Sequence, residues 1–135
     1  MSGLVLVDAN VLLDVLTDDP AWADRSGAAL ARVADDARLA INPIVYAEVS
    51  IGFERIEELD DVLPADTFVR LALPWAAAFL AGKCFVQYRR AGGARRSPLP
   101  DFYIGAHAAV AGVPLLTRDD GRYRTYLPRL ALITP

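Results

Sequence analysis

Four acidic residues, Asp8, Glu48, Asp101 and Asp119, occupy positions where a carboxylate is unusual enough to invite a chemical reading. Asp8 directly follows the apolar run Leu4–Val7, and Asp119 follows Leu115-Leu116-Thr117-Arg118. Glu48 lies one turn into a segment that opens on Asn42-Pro43, and Asp101 follows Pro100 at the start of another. Each has a plain explanation alone: a polar strand end for Asp8, a solvated helix edge for Glu48, a favourable acid in a first helical turn for Asp101, and a turn for Asp119-Asp120-Gly121. Delivered to one cleft, however, they would repel one another by several kcal/mol at intermediate dielectric. Such a cluster persists when protons are retained or cations neutralise it. Oxygen donors without His or Cys favour Mg²⁺ or Mn²⁺ over zinc. One or two such ions can activate water and stabilise both oxygens of a phosphodiester displacement, so no side-chain nucleophile is required.

Glu48 adds a second argument. Ile44 and Ile51 flank it at helical spacing, which puts the carboxylate on an apolar stripe, and an unpaired buried charge is costly. Asn10 is placed to orient Asp8 or cap the helix that follows, and Thr117 to hydrogen-bond Asp119. Asp14, four residues after Asn10, falls at the edge of the same face. The lone His107 is expected to pack between helices rather than act as a base. The lone Cys84, with Trp75 and Phe79, is expected in the core or at a dimer interface. One cysteine excludes an internal disulfide and fits a reducing compartment.

Short strands and helices must position these acids. Apolar stretches at residues 4–7, 39–41, 68–71, 113–116 and 131–133 predict strands. Helices are expected from about Val11 under an Asn10 cap, over 20–37 with Pro20 first, over 43–55 under Asn42-Pro43, over 57–63, over 74–90 with Trp75, Phe79 and Val86 as apolar contacts, and over 100–111. Residues 91–99, with two glycines and two Arg pairs, read as a loop. Strands that are apolar rather than alternating, and that alternate with helices, predict a three-layer α/β/α sandwich around a parallel sheet of about five strands. Ligands in such sheets bind beyond the carboxyl ends of the strands, where the strand order reverses.

Composition agrees. At 135 residues, 54% hydrophobic and 23% charged, the chain is expected to fold as one domain, 1–135. No run approaches the roughly 20 apolar residues needed to cross a bilayer. The opening MSGLVLVDAN lacks a basic region, so a cytoplasmic protein without a signal peptide is expected. The net charge of −3 conceals an asymmetry: residues 1–66 carry 14 acids and 4 arginines, and residues 67–135 carry 3 acids against 10 basic side chains. A basic half suits a polyanionic partner, although Arg-rich surfaces also arise without one.

Taken together, four blocks of this sequence resemble the PIN-domain nucleases, and most closely the VapC-type toxins of bacterial toxin–antitoxin pairs. They are Val7-Asp8-Ala9-Asn10-Val11-Leu12-Leu13-Asp14, Asn42-Pro43-Ile44-Val45-Tyr46-Ala47-Glu48, Pro100-Asp101-Phe102-Tyr103-Ile104-Gly105-Ala106-His107-Ala108 and Leu115-Leu116-Thr117-Arg118-Asp119. The resemblance covers nearly the whole chain. It implies a Mg²⁺- or Mn²⁺-dependent endoribonuclease, with Asp8, Glu48, Asp101 and Asp119 around the metal. It also implies a homodimer and a cognate VapB-type antitoxin that blocks the cleft. Arg89, Arg90, Arg95 and Arg96 of the loop, with Arg118, Arg122 and Arg124 near Asp119, are then expected to hold RNA phosphates; a solvated loop, or a grip on an acidic antitoxin, is the plainer alternative.

Other readings of the acids fare less well. An aspartate-nucleophile phosphohydrolase wants a second Asp where Asn10 stands, and a receiver domain wants a Lys after a late strand, whereas the only lysine, Lys83, falls within a predicted helix. A module of the same fold that binds RNA or antitoxin without cutting is the non-enzymatic alternative.

Overall fold

Leu4–Val7 forms the first strand, β1, and Val5, Leu6 and Val7 are all buried, so both faces of the sheet are covered at this strand. The computed structural model describes residues 3–135; Met1 and Ser2, where the leader reading begins, lie outside them. The elements then run α1 (Ala9–Leu16), α2 (Ala23–Asp36), β2 (Arg38–Ile41), α3 (Pro43–Ser50), α4 (Ile56–Val62), β3 (Phe68–Arg70), α5 (Trp75–Arg90), α6 (Pro100–Ala111), β4 (Leu115–Leu116), α7 (Gly121–Tyr126) and β5 (Leu132–Ile133). The five strands form one sheet in the order β3-β2-β1-β4-β5, parallel at every pairing. This is the expected α/β/α architecture.

The chain winds from β1 to β2 and β3 on one side and returns to β4 and β5 on the other, so the strand order reverses between β1 and β4. Leu6 pairs with Leu115 and Val7 with Leu116. The residues that follow, Asp8 and Thr117, therefore emerge side by side at the crevice such sheets use for ligands.

Several boundaries differ from the sequence expectation for local reasons. Asp8, not Asn10, stands at the N-cap of α1, and no side chain caps that helix. The next helix starts at Ala23 rather than residue 20 because Asp19 Oδ1 accepts from the backbone N–H groups of Ala21 and Trp22 at 2.8 and 2.9 Å, holding a turn there. The third helix ends at Ser50, whose hydroxyl donates to the Ala47 carbonyl, well short of residue 55. The strands at 68, 115 and 132 are trimmed to three, two and two residues. Helix α7 was not expected at all, since its six residues are too few to show a period.

Of the two places expected for Cys84, Trp75 and Phe79, core or dimer interface, the core holds Cys84 but not the two aromatics. Trp75 is 92% exposed, and Phe79 and Val86 also face outward. The buried face of α5 is Ala77, Ala81 and Cys84, small residues at helical spacing that let α6 approach closely. The large aromatics consequently fall on the opposite side.

Candidate functional site

Asp8 is 3% exposed, and its carboxylate is held by side chains from three separate segments. Thr117, at the end of β4, donates its hydroxyl to Asp8 Oδ2 at 2.9 Å, and Tyr123 of α7 donates to the same oxygen at 2.7 Å. Asn10 Nδ2 lies 3.5 Å from that oxygen and 3.2 Å from Thr117 Oγ1, while Asn10 Oδ1 accepts from the Arg118 N–H. Asn10 thus bridges β1 and β4 rather than capping a helix. Thr117 meets Asp119 through the backbone: the Asp119 N–H donates to its hydroxyl oxygen at 3.2 Å.

Glu48 projects from α3, which is anchored by its start. Asn42 Oδ1 accepts from the Val45 N–H at 2.9 Å, and Pro43 occupies the first turn. The buried face of this helix is Val45 and Val49. The stripe inferred from Ile44 and Ile51 is corrected: Ile51 is 87% exposed because the helix has already ended. Glu48 instead flanks the Val45–Val49 face, half-buried, and its Oε1 is buried without a hydrogen-bond partner among the described residues. Asp101 sits in the first turn of α6, with Arg122 Nη1 3.5 Å from its Oδ2. Asp119 is exposed at the crevice edge.

Electrostatics ties the four together. Burial pushes the Glu48 carboxyl up to about 7, reinforced by the charges of Asp8 and Asp101. Burial likewise raises Asp101 to about 6, with Asp8 and Asp119 adding to the effect and Arg122 opposing it. Asp8 is raised mainly by burial and also by Asp119, against the lowering pull of Tyr123 and Thr117. Burial and the neighbouring carboxylates push the Tyr123 phenol up, so it is a proton donor throughout the physiological range. Three of the acids are therefore strained as anions, the condition a cation relieves.

The fit to a metal can be weighed on these observations. The donor set is all oxygen, Glu48 Oε1 is an orphaned buried acceptor, and the raised acids disfavour a metal-free anionic state; each matches a hard divalent ion. As arranged, no three acidic, His or Cys side chains among the described residues enclose a single ion.

The remaining candidates divide. Asp14 is buried and forms a two-pronged pair with Arg118, Nε to Oδ2 at 2.9 Å and Nη2 to Oδ1 at 2.8 Å, and also accepts from Ser26 at 2.7 Å. Arg118 also lies over the Trp22 ring. Arg89 donates to the carbonyls of Gly93 and Arg95 and so shapes the basic loop. Arg90, Arg95 and Arg96 are exposed and form no ion pair among the described residues. Arg124 pairs with Asp120. His107 is buried, its Nδ1 accepting from Asn42 Nδ2 at 3.0 Å, and burial lowers its pKa; it packs α6 against α3 and the end of β2. Sequence reasoning missed Tyr123. Its only signal was a spacing of four residues from Asp119, which becomes meaningful once α7 is known to fold back over Asp8. A cavity of about 490 Å³ lies elsewhere, beside Gly112, Val113 and Pro114 near the amino end of β4, and none of the four acids lines it.

Comparison with known proteins bears on what this arrangement does. A family model described as the PIN domain matches residues 5–127. No curated protein matches the sequence. Among solved structures, the chain is similar to one in VapBC2 from Rickettsia felis bound to a DNA fragment from its promoter, with a TM-score of 0.74, 19% identity and 98% of both chains covered. It is also similar to a chain of VapBC-1 from nontypeable Haemophilus influenzae, with a TM-score of 0.72, 17% identity and 97% of both chains covered. A toxin–antitoxin complex from Klebsiella pneumoniae gives a TM-score of 0.70 at 23% identity, again over 97% of both chains. At these identities the likeness is one of fold.

Proposed function

This chain belongs to the PIN domain family, and from that membership we propose that it is a Mg²⁺- or Mn²⁺-dependent endoribonuclease, the toxin half of a toxin–antitoxin pair. In this reading residues 1–135 act as one domain, in the cytoplasm, as a homodimer restrained by a VapB-type antitoxin. The similarity in fold to chains of several toxin–antitoxin complexes supports the partner. The outward-facing Trp75 and Phe79 of α5 supply apolar surface for a protein interface. Among the described residues no helix is long and apolar enough to cross a membrane.

The observation that carries the reading is Glu48 Oε1, a buried acceptor without a donor in the field of Asp8 and Asp101. Asp8, Glu48, Asp101 and Asp119 would hold the cation. When bound, it supplies a water nucleophile at neutral pH and charge stabilisation for the oxygens of the phosphodiester. The protein does the positioning. Thr117 and Tyr123 fix the Asp8 carboxylate, and Asn10 links it to the Arg118 backbone. Arg122 stands beside Asp101 at the rim. Arg90, Arg95 and Arg96, without an ion pair among the described residues, offer their guanidinium groups to flanking phosphates, and Arg89 holds their loop in shape. Arg118 contributes through its place beside the crevice, with its side chain braced by Asp14.

That no three acidic, His or Cys side chains among the described residues enclose one ion favours the second reading, a module that binds RNA or antitoxin without cutting. Cleavage decides between them. Purified protein is expected to cut RNA with Mg²⁺ or Mn²⁺. EDTA or Asp8→Asn is expected to abolish cutting while circular dichroism stays native. Asp8→Asn cutting at the wild-type rate would exclude the mechanism, and wild-type protein that binds RNA without cutting it would favour the second reading.

A further inference from the structure

We propose that Tyr123 is a positioning residue for Asp8: its buried hydroxyl, together with that of Thr117, occupies Asp8 Oδ2 and so leaves the other carboxylate oxygen, Oδ1, as the one that would hold a cation. The inference rests on the metal-dependent reading above and adds a residue that sequence reasoning did not reach.

Three observations carry it. First, the two hydroxyls converge on one oxygen, at 2.7 and 2.9 Å, while among the described residues no side chain donates to Oδ1 and the Ala9 backbone N–H also bonds the carboxylate. Asymmetric donation of this kind fixes both the rotation of a carboxylate and the oxygen left for coordination. Second, the donors are neutral. An Arg or Lys in the place of Tyr123 would cancel the negative charge that a cation needs, whereas hydroxyl groups stabilise the anion and leave its charge in place. Asp14 shows the contrast within the same molecule, since it is buried too but is answered by the guanidinium of Arg118. Third, the ring has a prepared seat. Tyr123 is 2% exposed, and a Cβ added at Gly105 in α6 would stand 2.8 Å from Tyr123 Cδ1 and 2.7 Å from Leu127 Cδ1. A glycine in mid-helix is destabilising relative to alanine. Here it gives the room that lets the ring approach α6 with its hydroxyl directed at Asp8.

Mn²⁺ binding to the full-length protein, followed by the electron paramagnetic resonance of the free ion, tests this. Tyr123→Phe keeps the ring and removes only the hydroxyl. It is expected to bind Mn²⁺ about tenfold more weakly, the low end of what losing a partner of a metal ligand costs. RNA cleavage is expected to recover most of the wild-type rate once Mn²⁺ is saturating, so the loss falls on the metal requirement rather than on turnover. Gly105→Ala retains the hydroxyl but crowds its ring, and is expected to weaken Mn²⁺ binding as well, which keeps the test open should Tyr123→Phe fold poorly. Tyr126→Phe, on the same helix and without a hydrogen bond to the acids, is expected to bind as wild type does. Equal Mn²⁺ affinity in Tyr123→Phe and wild type overturns the positioning role and leaves the nuclease reading standing. An equal loss in Tyr126→Phe also overturns it. Wild-type protein that binds no Mn²⁺ overturns the nuclease reading, and this inference with it.

Discussion

Glu48 retains its proton well into the neutral range, because burial and the charges of Asp8 and Asp101 push its carboxyl up to about 7. In the unfolded chain the same group titrates near its ordinary value of 4.5. Between those two values the folded state binds more protons, so stability must fall as pH rises. The contribution is fully present below the unfolded value and is lost as pH climbs through about 7. Asp101, raised from 3.8 to about 6, acts with the same sign. Metal-free protein is therefore expected to show a melting temperature that declines between about pH 5 and pH 8. Glu48→Gln, which cannot ionise, should flatten that decline. Added Mg²⁺ should raise the melting temperature more at the upper end of the range, because a cation binds the deprotonated carboxylates. A wild-type profile that rises with pH without metal would contradict this account. The same residue shows what the sequence could disclose: its spacing marks Glu48 as a misplaced charge and Ile44 does pack against the core, but Ile51 does not share that face, since helix α3 stops before it.

At the scale of elements, Asp14 binds three parts of the chain into one wall of the crevice. Its carboxylate, in α1, meets Ser26 of α2 and Arg118 of the segment after β4. Arg118 precedes Asp119 directly, so this pair helps fix the loop that carries the fourth acid. Removing one partner of a largely buried pair leaves the other uncompensated. Asp14→Ala is expected to cost about 2–3 kcal/mol, somewhat below the fully buried range because Arg118 is partly exposed. Chemical denaturation measures it, and a change under about 0.5 kcal/mol would show the pair to be incidental. The helices that carry site residues were legible where they have strong punctuation: Asn42-Pro43 opens α3, Pro100 opens α6, and Gly112, at φ 69°, closes α6. Helix α7 has no such mark, and its role depends on Tyr123 reaching a residue 115 positions away.

For the molecule as a whole, charge is divided along the chain: residues 1–66 are acidic and residues 67–135 basic. If the unpaired Arg95 and Arg96 hold RNA phosphates, binding must release counterions and weaken steeply with salt. Asp8→Asn, expected to bind without cutting, allows the measurement. Replacing both arginines with alanine should weaken RNA binding at every salt concentration. It should also lower the slope of log affinity against log salt by about 1.4, two phosphate contacts at about 0.7 each on a single strand. An unchanged slope would assign the loop to another partner.

The sequence alone determined the parallel α/β architecture, the family resemblance and the four candidate acids, because strand hydrophobicity, helix caps and local motifs are properties of neighbouring residues. The tertiary structure decided which groups touch those acids. Tyr123 and Thr117 on Asp8, Arg118 on Asp14 and the exposure of Trp75 and Phe79 follow from how the strand order reverses between β1 and β4 and how closely α5 and α6 pack. Such contacts join residues far apart in the chain, and no periodicity within one segment encodes them.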